Sequence, residues 1–328
     1  MGMLVEGVWR EQERQGGSGG RFERPETSFR DWVTRDGTPP PGRQRGFRAE
    51  PDRYHLYVSL ACPWAHRTLI FRKLKRLEPV VSISIVHHRL DKDGWTFLAE
   101  EGGTGDTLYG LDFLRQIYLK ADPRYTGRVS VPVLWDKRNE TIVSNESADI
   151  IRMLNAAFDE WGDKGLDFYP EPLRPTIDRL NERIYATVNN GVYRAGFATT
   201  QEAYEEAFRE LFATLDALEE ILGRQRYLAG DRLTEADWRL FTTLLRFDPI
   251  YFGHFKCNLR RVVDYPNLSN YLRDLYQVPG VAETVDVEHA KKHYYGSHVS
   301  VNPTRIVPVG PELDYAAPHN RDRFKAAA

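Results

Sequence analysis

The chain is poor in cysteine, with two thiols, Cys62 and Cys257, in 328 residues. That excludes a disulfide framework and fits a reducing, cytoplasmic setting. Long apolar runs are missing as well. The best, Val80 to Val86, is strand-sized and far short of the ~18 residues that a membrane span needs, so no membrane partner is expected. Charge of one sign is not in excess either. The formal net charge is −2 and no long basic block stands against it, which argues against a nucleic-acid partner. The opening Met1-Gly2-Met3-Leu4-Val5-Glu6 lacks the basic-then-apolar order of a secretory signal. What is present, 41% hydrophobic and 28% charged residues, is ordinary globular composition in a chain long enough for two cored domains.

The most informative stretch is Tyr57-Val58-Ser59-Leu60-Ala61-Cys62-Pro63-Trp64-Ala65-His66. A β-type run ends in a cysteine and a proline opens a helix. A thiol at that place meets the positive end of a helix dipole, where the thiolate is favoured. Pro63 suits the first helical position, because its missing N–H would have had no intrahelical partner. Ala65 stands where a Cys-x-x-Cys pair would have its second thiol. Such a cysteine cannot close its own disulfide and must trade sulfur with an outside thiol. The alternative for Cys62 is a small buried hydrophobe, the commoner fate of a free cysteine.

Residues 1–50 read as an extended arm broken at Gly16-Gly17-Ser18-Gly19-Gly20 and Pro39-Pro40-Pro41-Gly42, with Phe22, Phe29 and Trp32 packing onto a domain. Residues 51–160 read as an α/β unit: a strand over Tyr54 to Ser59, a helix over Pro63 to Leu77, a strand over Val80 to Val86, strands over Val131 to Trp135 and Thr141 to Ser144, and a helix over Glu146 to Phe158. The order β-α-β, hairpin, α is that of a thioredoxin-like half-barrel. A long insert at 88–128 interrupts it, and long internal loops tend to be functional. Residues 161–175 form a linker, with three prolines in Tyr169 to Pro175. Residues 176–298 show helical periodicity, including Leu233-Thr234-Glu235-Ala236-Asp237-Trp238, which reads as a capped helix start. Residues 299–328 form an irregular tail. Cys257 reads as structural, within a helical segment. His87-His88 and the His289/His293 pair have no carboxylate or thiol partner by spacing, so no metal is expected.

A thioredoxin-like N-terminal domain joined through a proline-rich linker to an all-α C-terminal domain resembles the glutathione transferase architecture. Six strings narrow the resemblance: Cys62-Pro63-Trp64-Ala65-His66, Arg128-Val129-Ser130-Val131-Pro132, Ser144-Asn145-Glu146-Ser147, Asn190-Gly191-Val192-Tyr193-Arg194-Ala195-Gly196-Phe197, Arg246-Phe247-Asp248 with Gly253-His254-Phe255-Lys256-Cys257-Asn258, and Lys292-His293-Tyr294-Tyr295. In that order they resemble the glutathionyl-hydroquinone reductases, the Xi class, over most of the chain.

The resemblance implies a reductase that takes glutathione as co-substrate and glutathionyl-hydroquinones as substrates, and that forms homodimers. It implies Cys62 as the nucleophile, Tyr193 as the acid that protonates the ring carbon, and Tyr251 and Tyr294 as hydrogen-bond donors to the thiolate. Tyr295 is the alternative to Tyr294. For glutathione it implies Trp95 as a cover, Arg128 for the glycyl carboxylate, Val129, Ser130 and Val131 along the cysteinyl backbone with a cis proline after Val131, Glu146 for the ammonium, and Ser147 with the helix N–H groups for the γ-glutamyl carboxylate. Read by themselves these residues have plainer roles. Most of the 17 tyrosines simply pack, Ser144 to Ser147 is a routine helix cap, and Arg128 is a solvated arginine. Two rival functions remain. One is an Omega-like thiol transferase or dehydroascorbate reductase, and the other is a non-catalytic binding module on the same fold.

Overall fold

In the computed structural model, which describes residues 2–11 and 17–324, the strand β1 (Tyr54–Val58) is buried at all five positions. A strand with no polar face must be covered on both sides. β1 lies parallel to β2 (Val81–Ile85) and antiparallel to β3 (Val133–Asp136), which pairs antiparallel with β4 (Thr141–Ser144). The sheet order is β4-β3-β1-β2. Between β1 and β2 runs α1 (Pro63–Leu74), before β3 runs α2 (Leu114–Ala121), and after β4 runs α3 (Ser147–Ala156). α1 and α3 pack together. This is the thioredoxin-like arrangement, and it places the starts of α1, β3 and α3 at one edge of the chain's first unit.

Several elements end earlier than their apolar pattern suggests. α1 stops at Leu74 rather than Leu77, because Arg76 turns into the left-handed region (φ 55°). Lys75, just past the helix, is buried, and its Nζ donates to Asp159 (2.8 Å) and to the Leu166 carbonyl (2.7 Å). β3 begins two residues after Val131, past Pro132, which has no N–H to give a ladder.

The insert at 88–128 is not one loop. It carries a two-stranded ladder, Leu90–Asp91 with Gly94–Trp95, and α2. Leu114, Ile117 and Tyr118 of α2 are buried, a helical spacing. Its first turn is capped by Gln116, whose Oε1 accepts from the Phe113 N–H (2.8 Å) and the Asp112 N–H (3.1 Å).

The expected domain boundaries are redrawn. One compact unit comprises Met1–Arg14, Pro25–Leu166 and Thr284–Ser297. The other comprises Gln15–Arg24, Asp167–Glu283 and His298–Ala328. The expected 1–50 arm is therefore split. Gly2–Val5 and Val8–Glu11 form a hairpin whose Leu4 N–H bonds the Gly127 carbonyl (3.0 Å). Gly20 and Arg21 are tied instead to the helical unit through Thr199 N–H (3.0 Å) and Glu206. Phe22, Phe29 and Trp32 do pack, against Tyr193, Tyr118 and Arg43 respectively. Gly16 of the expected glycine break lies outside the described residues, as do 325–328 of the tail. The helix Val287–Ser297, expected in the helical domain, belongs with the first unit. His293 in it bonds the His88 carbonyl through Nδ1 (2.7 Å), and Ser297 Oγ accepts from the Leu90 N–H (2.9 Å).

The second unit is helical. Its main helices are Arg174–Ile184, Gly191–Gly196, Gln201–Arg224, Glu235–Arg246 and Pro266–Tyr276. The linker expected at 161–175 ends inside structure, with a 3-10 turn at Glu171–Leu173 and a helix from Arg174. Pro175 is tolerated because the first helical turn needs no N–H donor. The capped start at Thr234 is present: Asp237 accepts from the Thr234 N–H (2.8 Å) and hydroxyl (2.9 Å). The tail is irregular but anchored. Arg321 is fully buried, and its guanidinium donates to the carbonyls of Leu222, Gln225 and Arg226 at the end of the long helix. Cys257 lies outside any helix, in the segment after Phe252–His254, and burial pushes its thiol well up.

Candidate functional site

Cys62 is the N-cap of α1, with extended backbone (φ −77°, ψ 119°), and Pro63 follows as the first helical residue. The turn before it is held by Ser59. The Ser59 carbonyl accepts from Cys62 N–H (3.2 Å) and its Oγ accepts from Ala61 N–H (3.2 Å). The thiol is half-buried, and its Sγ lies 3.6 Å from the Val131 carbonyl, in donor geometry toward it. Thus two features separate in the sequence, the Cys-Pro start and the cis Val131–Pro132 bond, meet in one place.

The strip leading to Pro132 is held by a residue that sequence reasoning missed. The hydroxyl of Tyr118, from α2, donates to the Ser130 carbonyl (2.8 Å). It accepts from the Ser130 N–H (3.2 Å) and from the Asn145 side-chain amide (3.2 Å). One buried phenol therefore joins the 128–131 strip to the 144–147 turn. Burial pushes its hydroxyl up to about 12. The only sequence signal for this role was the helical spacing of Leu114, Ile117 and Tyr118 inside what read as a loop. Val131 makes no backbone–backbone hydrogen bond among the described residues, and its carbonyl lies beside Cys62 Sγ. Val129 and Ser130 are half-buried and Arg128 is exposed, its carbonyl accepting from Tyr125 (3.3 Å).

Glu146 caps α3 with its own carboxylate, which accepts from Ala148 N–H (3.0 Å) and from the Thr27 hydroxyl (3.3 Å). Ser147 is buried and its Oγ accepts a long hydrogen bond from Arg67 (3.4 Å). Arg67, also missed from the sequence, is buried and stacks over Trp64 at 4.5 Å.

Trp95 and Tyr294 share a wall in the first unit. Trp95 is buried and stacks on His293 (5.0 Å, 18°), and Tyr294 lies edge-on to the same imidazole (5.2 Å). Tyr294 is buried whereas Tyr295 is half-exposed. Behind this wall the sequence spacing overlooked a carboxylate. Glu101 Oε2 lies 2.6 Å from His88 Nε2 and 3.7 Å from His87 Nε2, although 13 residues separate it from His88. The hydrogen bond from His88, and next that from Lys292, hold the Glu101 carboxyl down to about 2.

In the second unit Tyr193 and Tyr251 lie with ring centroids 6.0 Å apart, both buried. Tyr193 stacks with Phe22 (6.4 Å) and carries the Arg24 guanidinium over its ring (4.9 Å), while Arg24 Nε donates to Asn190 (3.0 Å). Tyr251 stacks flat on Phe255 (5.5 Å, 7°). Tyr251 ends the π-helical turn Phe247–Tyr251, and Tyr193 lies in the short helix that follows the π-helical turn Tyr185–Asn189; such turns recur at functional sites. Asn189-Asn190-Gly191 and Pro249 were the available sequence cues to these turns.

Comparison with known proteins gives the family. Residues 61–157 match the family model of the glutathione S-transferase N-terminal domain, and residues 201–274 that of the C-terminal domain. The chain is 59% identical over 324 residues to the glutathionyl-hydroquinone reductase YqjG of Escherichia coli, covering 98% of this chain and 99% of that protein. It is 57% identical over 312 residues to the glutathionyl-hydroquinone reductase PcpF of Sphingobium chlorophenolicum (95% and 96%). It is 49% identical over 300 residues to a Schizosaccharomyces pombe protein named glutathione S-transferase omega-like 2 (89% and 94%). The glutathione-bound structure of E. coli YqjG superposes with a TM-score of 0.91 over 98% of this chain and 99% of that one, at 57% identity. A Xi-class transferase from Natrialba magadii also reaches 0.91, over 99% and 97%, at 51% identity.

Proposed function

Since the chain belongs to the Xi-class glutathione transferases, the family of the glutathionyl-hydroquinone reductases, we propose that it reduces glutathionyl-hydroquinones to hydroquinones at the expense of glutathione. The observation that carries the reading is Cys62: a half-buried thiol capping α1, beside the Val131 carbonyl before a cis proline, with Ala65 in place of a resolving cysteine. A helix N-terminus favours a thiolate and so a sulfur nucleophile.

The reaction would run in two exchanges. The Cys62 thiolate attacks the thioether sulfur of the conjugate, forming an S–S bond as the C–S bond breaks. The electron pair of that bond stays on the ring carbon, which takes a proton, and hydroquinone leaves. Tyr193 is the assigned acid, with Arg24 over its ring and Tyr251 beside it. The thiolate of a second glutathione then attacks the glutathione sulfur of the mixed disulfide. Glutathione disulfide departs and the Cys62 thiolate is restored. Without a second cysteine near Cys62, the resolving thiol has to come from solution.

Glutathione would bind along the strip 128–131, its cysteinyl backbone pairing with Val131 and its glycyl carboxylate reaching Arg128. Its γ-glutamyl end would meet the start of α3. Glu146 is already a helix cap there, so its carboxylate would accept from the ligand's ammonium as well as from Ala148 N–H. Ser147 is pre-oriented by Arg67 for the ligand's carboxylate. Trp95 and Tyr294 would form the wall, and Tyr294 rather than Tyr295 is assigned because it is the buried one of the pair. A cytoplasmic homodimer belongs to the same reading. No helix among the described residues is long and apolar enough to cross a membrane.

The test supplies glutathionyl-hydroquinone and glutathione to the parent, Cys62→Ala and Tyr193→Phe, and follows hydroquinone release. Turnover by the parent, none by Cys62→Ala and a marked loss in Tyr193→Phe are expected. Equal rates in all three would end the reading. The relative named omega-like keeps a second reading in play, and a parent silent on the conjugate but active on glutathione mixed disulfides would favour it.

A further inference from the structure

Strand β2 ends at Ile85, and the two histidines that follow do not splay to opposite sides as neighbours on a strand would. Their rings lie 4.2 Å apart at 36°, on one side of the chain. Opposite them stands Glu101, held in the left-handed region (φ 47°) ahead of Gly102. One donor atom from each of His87, His88 and Glu101 falls within 4.8 Å of the other two. His87 and His88 are 6% and 9% exposed, and His87 Nε2 and His88 Nδ1 are buried without a hydrogen-bond partner among the described residues. The ring of His289 lies edge-on to His88 at 5.7 Å. Its Nδ1 bonds the Glu101 carbonyl (3.2 Å), and its Nε2 is likewise buried and without a partner.

An unsatisfied imidazole nitrogen is costly in a protein interior, and the orphaned His87 Nε2 lies 3.7 Å from the carboxylate oxygen that His88 Nε2 already meets at 2.6 Å, so the three atoms call for a shared occupant. A cation among them satisfies His87 Nε2 and takes both His88 Nε2 and the carboxylate as ligands. We propose that His87, His88 and Glu101 bind a divalent first-row transition ion, of which zinc is the best-suited probe. Two imidazoles and a carboxylate suit such ions. Bonds of ~2.0–2.1 Å in a tetrahedral shell put ligand atoms about 3.3 Å apart. The observed 2.6 Å and 3.7 Å to Glu101 Oε2 straddle that spacing, and the exposed Glu101 can adjust. Water takes the remaining position.

Coordination has two structural consequences. His87 Nδ1 accepts from the Arg89 N–H (3.2 Å). Binding through Nε2 puts the ring proton on Nδ1, so that contact opens. The ion also joins the segment after β2 to the 101 loop, and Glu101 in turn holds Lys292 (2.9 Å) in the helix Val287–Ser297. The site is thus a clip behind the wall that carries Trp95 and Tyr294, separate from Cys62 chemistry.

The test uses the full chain carrying Cys62→Ser, so that no accessible thiol competes for metal. Cobalt(II) titration is expected to saturate at one ion per chain, giving visible d–d absorption without a sulfur charge-transfer band, and zinc displaces it. Zinc raises the melting temperature, and the Arg89 amide resonance shifts. His88→Ala and Glu101→Gln each weaken binding at least ~tenfold, in line with what loss of supporting groups around metal sites costs. Should His88→Ala fail to fold, Glu101→Gln, at an exposed position, decides alone. No saturable uptake below millimolar metal, or uptake unchanged in Glu101→Gln, overturns the proposal.

Discussion

Removing one oxygen atom from Tyr118 tests the argument about how the glutathione strip is held. In Tyr118→Phe the ring remains, packed against Phe29 (5.9 Å) and Tyr125 (5.1 Å), so the apolar contacts survive. The hydrogen bonds to the Ser130 carbonyl, from the Ser130 N–H and from Asn145 are lost, together with a long contact to Ser130 Oγ (3.4 Å). Each is worth roughly 0.5–1.5 kcal/mol net, so the junction loses about 2–4 kcal/mol of local stability. If a third to a half of that must be repaid when glutathione orders the strip, affinity falls about tenfold, because ~1.4 kcal/mol is one decade. The assay is isothermal titration of glutathione into the parent and the variant, beside a thermal melt of each. The hydroxyl, pushed up to about 12 by burial, stays protonated through neutral pH. The affinity gap is therefore expected to be flat from pH 6 to 9. A variant that melts lower but binds glutathione within twofold of the parent would refute the link between the phenol and the strip. A gap that closes with rising pH would refute the protonation argument.

Two further outcomes follow from buried ionisable groups. Asp237 accepts from the N–H groups of Leu228 (2.9 Å) and Thr234, the Thr234 hydroxyl and Tyr271 (2.8 Å), so Asp237→Ala strands at least two buried N–H donors. At about 1–3 kcal/mol each this costs about 2–6 kcal/mol, read as a lower melting temperature, and a shift under 3 °C would contradict it. Burial, the largest influence, raises the Asp237 carboxyl above its ordinary value despite those donors. Its protonated form is therefore the one favoured on folding, and the parent's advantage over Asp237→Asn should grow as pH falls from 7 toward 4. His55 and His254 point the other way, since burial lowers both to about 4 from the ordinary 6.5. Their contribution is complete above pH 6.5 and is lost as pH falls toward 4, up to about 3 kcal/mol each. The guanidinium unfolding midpoint should therefore drop steeply across that window, and less steeply in His55→Gln. A midpoint independent of pH there would sink the assignment of both rings as neutral and buried.

How far the site was legible depended on whether its geometry is local. Cys62 at a helix start, the strand before it and the cap at Glu146 are fixed by neighbours within a few residues, and the structure has them at those places. The capping box at Thr234 and Asp237 was readable for the same reason. α2 is also locally written, in Leu114, Ile117 and Tyr118, but it is short and lies inside a long polar insert, which masks its period. The π-helical turns beside Tyr193 and Tyr251 leave only weak marks, because an extra residue in a helix changes no residue type.

What the sequence determined by itself is the set of local conformations and the family: which residues alternate, which cap, where a proline can open a helix, and the ordered strings that mark a Xi-class transferase. Only the tertiary structure decided that Val131 meets Cys62, that Tyr118 joins Ser130 to Asn145, and that Glu101 faces His87 and His88. It also decided that the helix Val287–Ser297 completes the first unit. The reason is physical. Backbone preference acts over a few residues, whereas these contacts join segments many residues apart, and a buried polar atom takes whichever partner the packed chain brings within about 3 Å.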